Sequence, residues 1–111
     1  MIRLIEFNFD EVVINPKECS EAITAACRRE NAAVSGVCSN EHTLIIVIDS
    51  EAGSGGYYRL AQFPGFSKEE ISGEINSRWT AGFATVGSFF AGKNLWGLFM
   101  TQQSPESSDD A

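Results

Sequence analysis

Apolar and polar positions alternate loosely over residues 2 to 9, where Ile2, Leu4, Ile5, Phe7 and Phe9 recur at short spacing, and this predicts a strand. A helix start follows at Asn15-Pro16-Lys17-Glu18: Asn caps, Pro occupies the first helical position, and Glu18 reaches back to the cap. The next apolar positions, Cys19, Ala22, Ile23, Ala26 and Cys27, fall at the spacing of a stripe that faces a core. Two further strands are predicted, Ala33 to Cys38 and Thr43 to Ile48, turning through Asn40-Glu41.

The pattern then repeats. Arg3-Leu4-Ile5-Glu6-Phe7 returns as Arg59-Leu60-Ala61-Gln62-Phe63, and Asn15 to Asp49 lies without a gap over Ser67 to Thr101. Ser67-Lys68-Glu69-Glu70 supplies the second helix start, with Glu70 in the place of Glu18, and Thr85 to Phe90 turns through Gly92-Lys93 into Leu95 to Met100. Each copy reads as strand, helix, strand, strand. The expected class is α+β: a tandem βαββ repeat with a pseudo-twofold axis, a mainly antiparallel six-stranded sheet and two helices on one face. The expected organisation is a single domain over residues 1–103, with repeats 1–50 and 57–103 joined by a linker, 51–56, and followed by an acidic disordered tail, 104–111.

The strand pattern conflicts with a half-exposed sheet. Leu44 to Ile48 is apolar throughout and Leu95 to Met100 is apolar or glycine, where alternation is expected if one face meets water. The second face needs a cover, from barrel closure, a second subunit or an apolar ligand. A homodimer through the sheet is the favoured solution.

Composition narrows the class. The chain has 111 residues, 43% hydrophobic and 21% charged, as in a soluble globular protein of one domain. No apolar run is long enough to cross a bilayer, and the start of the chain lacks a signal peptide's apolar stretch, so a cytoplasmic location without membrane contact is expected. Net charge is −7, and the basic residues are scattered rather than clustered, which argues against a nucleic-acid partner. Cys19, Cys27 and Cys38 are an odd number without metal-ligand spacing and read as small apolar side chains in a reducing compartment.

Candidate chemistry is sparse. Gly53-Ser54-Gly55-Gly56 lacks the Gly-Lys-Ser/Thr ending of a phosphate loop and precedes a strand, so linker is the reading. The single histidine, His42, excludes a His-pair metal site; acid–base chemistry there would need Cys38 or Asp49 brought beside it. Asp10 and Glu11 lie on a strand-to-helix loop four residues longer than its counterpart in the second copy. Under the gapless match, Trp79, Phe83, Phe89, Phe90, Trp96 and Phe99 stand where the first copy has Cys27, Asn31, Val37, Cys38, Leu44 and Val47. These rings fill a core or interface, or Arg78, Trp79, Trp96 and Tyr58 line a pocket for a planar or anionic ligand.

No catalytic residue, metal site or cofactor is assigned from the sequence. The expected function is a non-catalytic interaction or oligomerisation domain, homodimeric through an apolar sheet face and open to a protein partner. The alternative is a small-molecule-binding domain or small enzyme with a pocket in the aromatic-rich second repeat.

Overall fold

In the computed structural model, which describes residues 1–103, the two repeats form separate units, each a three-stranded antiparallel sheet with a helix packed on it. The expected tail, 104–111, lies outside the described residues. The first unit comprises β1 (Ile2–Asn8), α1 (Phe9–Ile14), α2 (Pro16–Glu30), β2 (Ala33–Ser39) and β3 (Thr43–Asp49). The second comprises β4 (Tyr57–Gln62), α3 (Lys68–Thr80), β5 (Ala84–Ala91) and β6 (Asn94–Thr101). Strand orders β1-β3-β2 and β4-β6-β5 place the last strand of each unit in the centre, so the α+β class and the βαββ order hold while the six strands divide into two sheets. β6 is packed on both faces, which accounts for its unbroken apolar run, whereas the outer-face residues Ile45 and Val47 of the equally central β3 are only half-buried.

Two local expectations are corrected. Asp10 and Glu11 lie on α1, a short helix that begins where β1 ends; Glu11 accepts the Asn8 N–H at 3.1 Å and so performs the capping expected of Glu18. Asn15, by contrast, makes no side-chain cap, because it closes α1 and opens α2 at once. At α3 the capping box forms as expected, Ser67 accepting from the Glu70 N–H at 3.0 Å and Glu70 accepting from the Ser67 N–H at 3.2 Å.

Strand pairing shows that the repeat is not gapless. Phe7 stands opposite Leu44, and the Phe63 N–H donates to the Leu95 carbonyl, so Leu44 corresponds to Leu95. Both second strands carry a bulge, between Val34 and Gly36 and between Thr85 and Gly87, at equivalent positions. Asn31 and Gly82 both adopt positive φ after the helix and correspond to each other. The residue is lost within the second helix, which has 13 residues against 15 in α2. Trp79 is therefore the counterpart of Arg28, Trp96 of Ile45, and Phe99 of Ile48.

The units stack head to tail, not about a twofold axis. In the first sheet Leu44, Ile46 and Ile48 face α2, which contributes Cys19, Ile23, Ala26 and Cys27. Their counterparts Leu95 and Phe99, joined by Phe63, pack instead beneath Ile71 and Ile75 of α3 in a separate cluster. The other face of the second sheet, with Tyr58, Leu60, Phe89, Trp96 and Leu98, joins the first unit's helix-side core. Val37 lies so close to Gly87 that a Cβ there would meet its Cγ2 at 2.8 Å, which excludes a side chain. Phe9 of the first unit stacks on Phe89 of the second, centroids 6.2 Å apart.

A seam of hydroxyls seals this contact. β4 is an edge strand, and two of its outward N–H groups donate to α2: Tyr58 to Thr24 Oγ1 and Leu60 to Ser20 Oγ, both at 2.8 Å. Four helical residues rise about 6 Å and two strand residues about 6.6 Å, so hydroxyls four apart on the helix meet alternate N–H groups of the strand. Ser20 Oγ itself donates to the Pro16 carbonyl at 2.6 Å, and Tyr58 Oη accepts from the Val34 N–H at 3.0 Å.

Ser20→Ala leaves the buried Leu60 N–H without a partner, at a cost of about 1–3 kcal/mol. The melting temperature in a thermal scan is expected to fall by roughly 4–8 °C for each of those kcal/mol, and an unchanged midpoint would remove this bond from the stability of the seam.

Candidate functional site

The four residues expected to line a pocket are divided between the two faces of the second sheet. Tyr58 and Trp96 are buried in the core between the units. Arg78 lies on the opposite face, its guanidinium over the Phe99 ring at 4.9 Å and its Nε donating to Glu74 Oε2 at 2.7 Å. Trp79 points outward, 70% exposed. Glu74 and Arg78, one helical turn apart, form an ion pair that commits the Arg78 head to an intrachain partner. Trp96 makes no hydrogen bond through its buried indole N–H. Lying on opposite faces of the sheet, the four are not brought together among the described residues.

The groups weighed for catalysis are also apart or solvated. His42 lies in the loop after Asn40, whose side-chain oxygen accepts the His42 and Thr43 N–H groups at 2.9 and 2.8 Å, a local turn that fixes the loop rather than the imidazole. Its nearest charged partner is the exposed Glu41, at 3.7 Å. Among the described residues, no three His, Cys, Asp or Glu side chains converge to hold a metal ion, and no helix is long and apolar enough to cross a membrane.

The cysteines separate into two kinds. Cys19 and Cys27 are buried as expected, whereas Cys38 is exposed because β2 turns it to the side of the sheet away from α2. Burial pushes the Cys27 thiol above the ordinary cysteine range, partly offset by its hydrogen bond with Tyr58. Burial likewise raises Cys19, with Glu11 and Glu18 adding to the effect.

The distinctive surface is the one on which Cys38 lies. On the side of the first sheet away from α2, Ile2, Leu4 and Glu6 of β1 pair with Asp49, Val47 and Ile45 of β3, and Cys38 and Gly36 of β2 pair with Ile45 and Val47. Ile2 is 63% exposed and Leu4 59%, with Ile45 and Val47 half-buried between the flanking strands. The corresponding positions of the second sheet, Tyr58, Leu60, Trp96, Leu98 and Phe89, are all buried by the first unit. What the first unit covers in the second, nothing among the described residues covers in the first. The sequence flagged the need for a cover but not which strand would lack one, because the two runs look alike until the stacking order is known.

A second open feature lies on α3. Phe66, Lys68, Ile71, Ser72, Ile75 and Asn76 line an open groove of about 490 Å³. Its polar members escaped notice in the sequence, since isolated Ser and Asn on a helix carry no motif. Comparison of the chain with protein-family models, curated proteins and solved structures finds no match.

Cys38 is expected to react with a water-soluble disulfide reagent at pH 8 in the folded protein, and Cys19 and Cys27 only on unfolding. Thiol counting before and after denaturant checks this. Burial also raises the Tyr58 pKa, with its bond from Val34 lowering it. The folded state therefore holds that proton longer than the unfolded one, and stability is expected to fall as pH rises past the ordinary tyrosine value of about 10. Tyr58→Phe should flatten that alkaline slope in denaturant titrations.

Proposed function

We propose that this protein is a non-catalytic interaction module that associates with a second copy of itself through the open face of the first sheet, the homodimer being the smallest assembly. The observation that carries the reading is the contrast between the two sheets: Ile2 and Leu4 stand 63% and 59% exposed where their counterparts Tyr58 and Leu60 are 6% and 5% exposed. An edge strand with outward-facing apolar residues is a template for pairing, and an apolar face beside it gains by leaving water. β1 carries no proline or lysine to blunt that edge.

Polar groups on the face are few: Glu6 on β1 and Cys38 on β2 flank Ile45, and Asp49 at its end shares the Met1 amine with Glu51. A further protein partner would read the same surface. Three unpaired cysteines fit a reducing compartment, and the cytoplasm is the proposed place of action.

Sedimentation velocity across a concentration series from about 1 to 100 μM, the range of ordinary self-association, is expected to show the wild-type chain moving from monomer to larger species. Leu4→Lys with Val47→Lys, both on the open face, should hold it as monomer with an unchanged circular dichroism spectrum. A wild-type chain that remains monomeric throughout would overturn the reading.

A further inference from the structure

The contact between the two units is a template for the contact between copies. Along the seam, Leu60 meets Ser20 and Tyr58 meets Thr24, so each step of two residues along β4 matches a step of four in the opposite direction along α2. Extended by one step, the same register would bring Gln62 level with Pro16.

The second unit carries the same device unused. Counting from the helix caps Asn15 and Ser67, Ser20 corresponds to Ser72, Thr24 to Asn76 and Pro16 to Lys68. Ser72, Asn76 and Lys68 are all exposed, and all three line the groove on α3 beside Ile71 and Ile75. The first unit carries the matching strand unused: Leu60, Tyr58 and Gln62 correspond to Leu4, Ile2 and Glu6 of the free edge β1. We infer that the α3 groove of one copy receives the β1 edge and open sheet face of the next, repeating the operation that stacks the two units within the chain.

Three pairings follow from the template. Ser72 accepts the N–H of the next copy's Leu4, and Asn76 that of its Ile2. Lys68 meets its Glu6, a complementary pair at the step that the register extends to Pro16 and Gln62 within the chain. Hydroxyl and amide oxygens are both competent acceptors for a strand-edge N–H. Gly36 supports the same geometry. Its counterpart Gly87 excludes a side chain because Val37 of the neighbouring unit presses on it, yet a Cβ at Gly36 would meet only Val47 of the adjacent strand, at 3.7 Å. Gly36 thus leaves room that none of the described residues fills, and the position equivalent to Val37 in the next copy is the small Ser88.

The two surfaces differ, so the contact is head-to-tail and each copy has one of each kind free. Such a contact extends as an open series unless its rotation closes a ring.

This inference rests on the proposed self-association and names the surface that receives the open face. It is tested with two variants altered only at exposed or sheet-face positions: Leu4→Lys with Val47→Lys blocks the strand side, and Ser72→Arg with Asn76→Arg blocks the groove side. Each variant alone is expected to sediment as monomer, and an equal mixture of the two to form a complex of two copies and nothing larger. That result separates head-to-tail from face-to-face association, because each variant contributes the surface the other lacks. If the groove variant alone still self-associates as the wild type does while the sheet variant does not, the groove inference is overturned and the interaction reading stands. If the sheet variant associates as the wild type does, both fall. Charge exchange gives a second readout that does not depend on blocking. Lys68→Glu alone should weaken association roughly two- to fivefold, and combining it with Glu6→Lys should restore it; weakening without restoration counts against the pairing.

Discussion

The fold depends on how one helix satisfies the edge of a strand that belongs to the other half of the chain. A sheet edge buried without partners would forfeit the hydrogen-bonding energy of every outward N–H, and β4 is buried on its edge. Ser20 and Thr24 resolve this with two short side chains, and the near-equality of a helical turn's rise and a strand's dipeptide repeat lets one register serve both. Serine and threonine suit the task because a hydroxyl both donates and accepts: Ser20 gives its proton back to the Pro16 carbonyl while taking one from Leu60. Tyr58 closes the other margin by accepting from the Val34 N–H, so each unit satisfies a free edge of its neighbour.

From that seam follows the order of layers. α3 covers one face of the second sheet, the first unit covers the other, and the first sheet has α2 on one side and, among the described residues, no cover on the other. Four of the large rings of the second half are thereby placed in cores, while Trp79 and Phe90 stay exposed. Phe63 and Phe99 fill the space under α3, while Phe89 and Trp96 fill the space between the units. The first unit needs no such volume on its outer face, where Ile45 and Cys38 take the places of Trp96 and Phe89.

Much of this architecture was legible in the sequence. The hairpin at Gly92-Lys93, the capping box of Ser67 and Glu70, and all six strands announce themselves through turn chemistry and apolar spacing, which are local properties. The helix of Phe9–Ile14 did not, since six residues are too few to show a helical period. The division into two sheets and the stacking order were hidden for a different reason: they are decided by contacts between residues about forty positions apart, such as Ser20 with Leu60, where neither residue is unusual alone. The candidate pocket of Arg78, Trp79, Trp96 and Tyr58 was drawn from residue type, and the parity of a strand sent its members to opposite faces.

The single residue missing from α3 has a consequence for how the two halves diverged. Removing one residue turns everything beyond it by about 100° around a helix axis, a change most helices absorb poorly. Here the left-handed cap at Gly82, equivalent to Asn31, re-establishes the exit of the chain, and β5 enters its sheet in the same phase as β2. The strands keep their partners, and the difference is confined to the helix between the caps and the left-handed exit, whose last turn carries a cation lying over Phe99. The duplicated unit therefore has a tolerant part and an intolerant part: its helix could lose length and change character, while the sheet, in which one residue would exchange inside for outside, conserved its count.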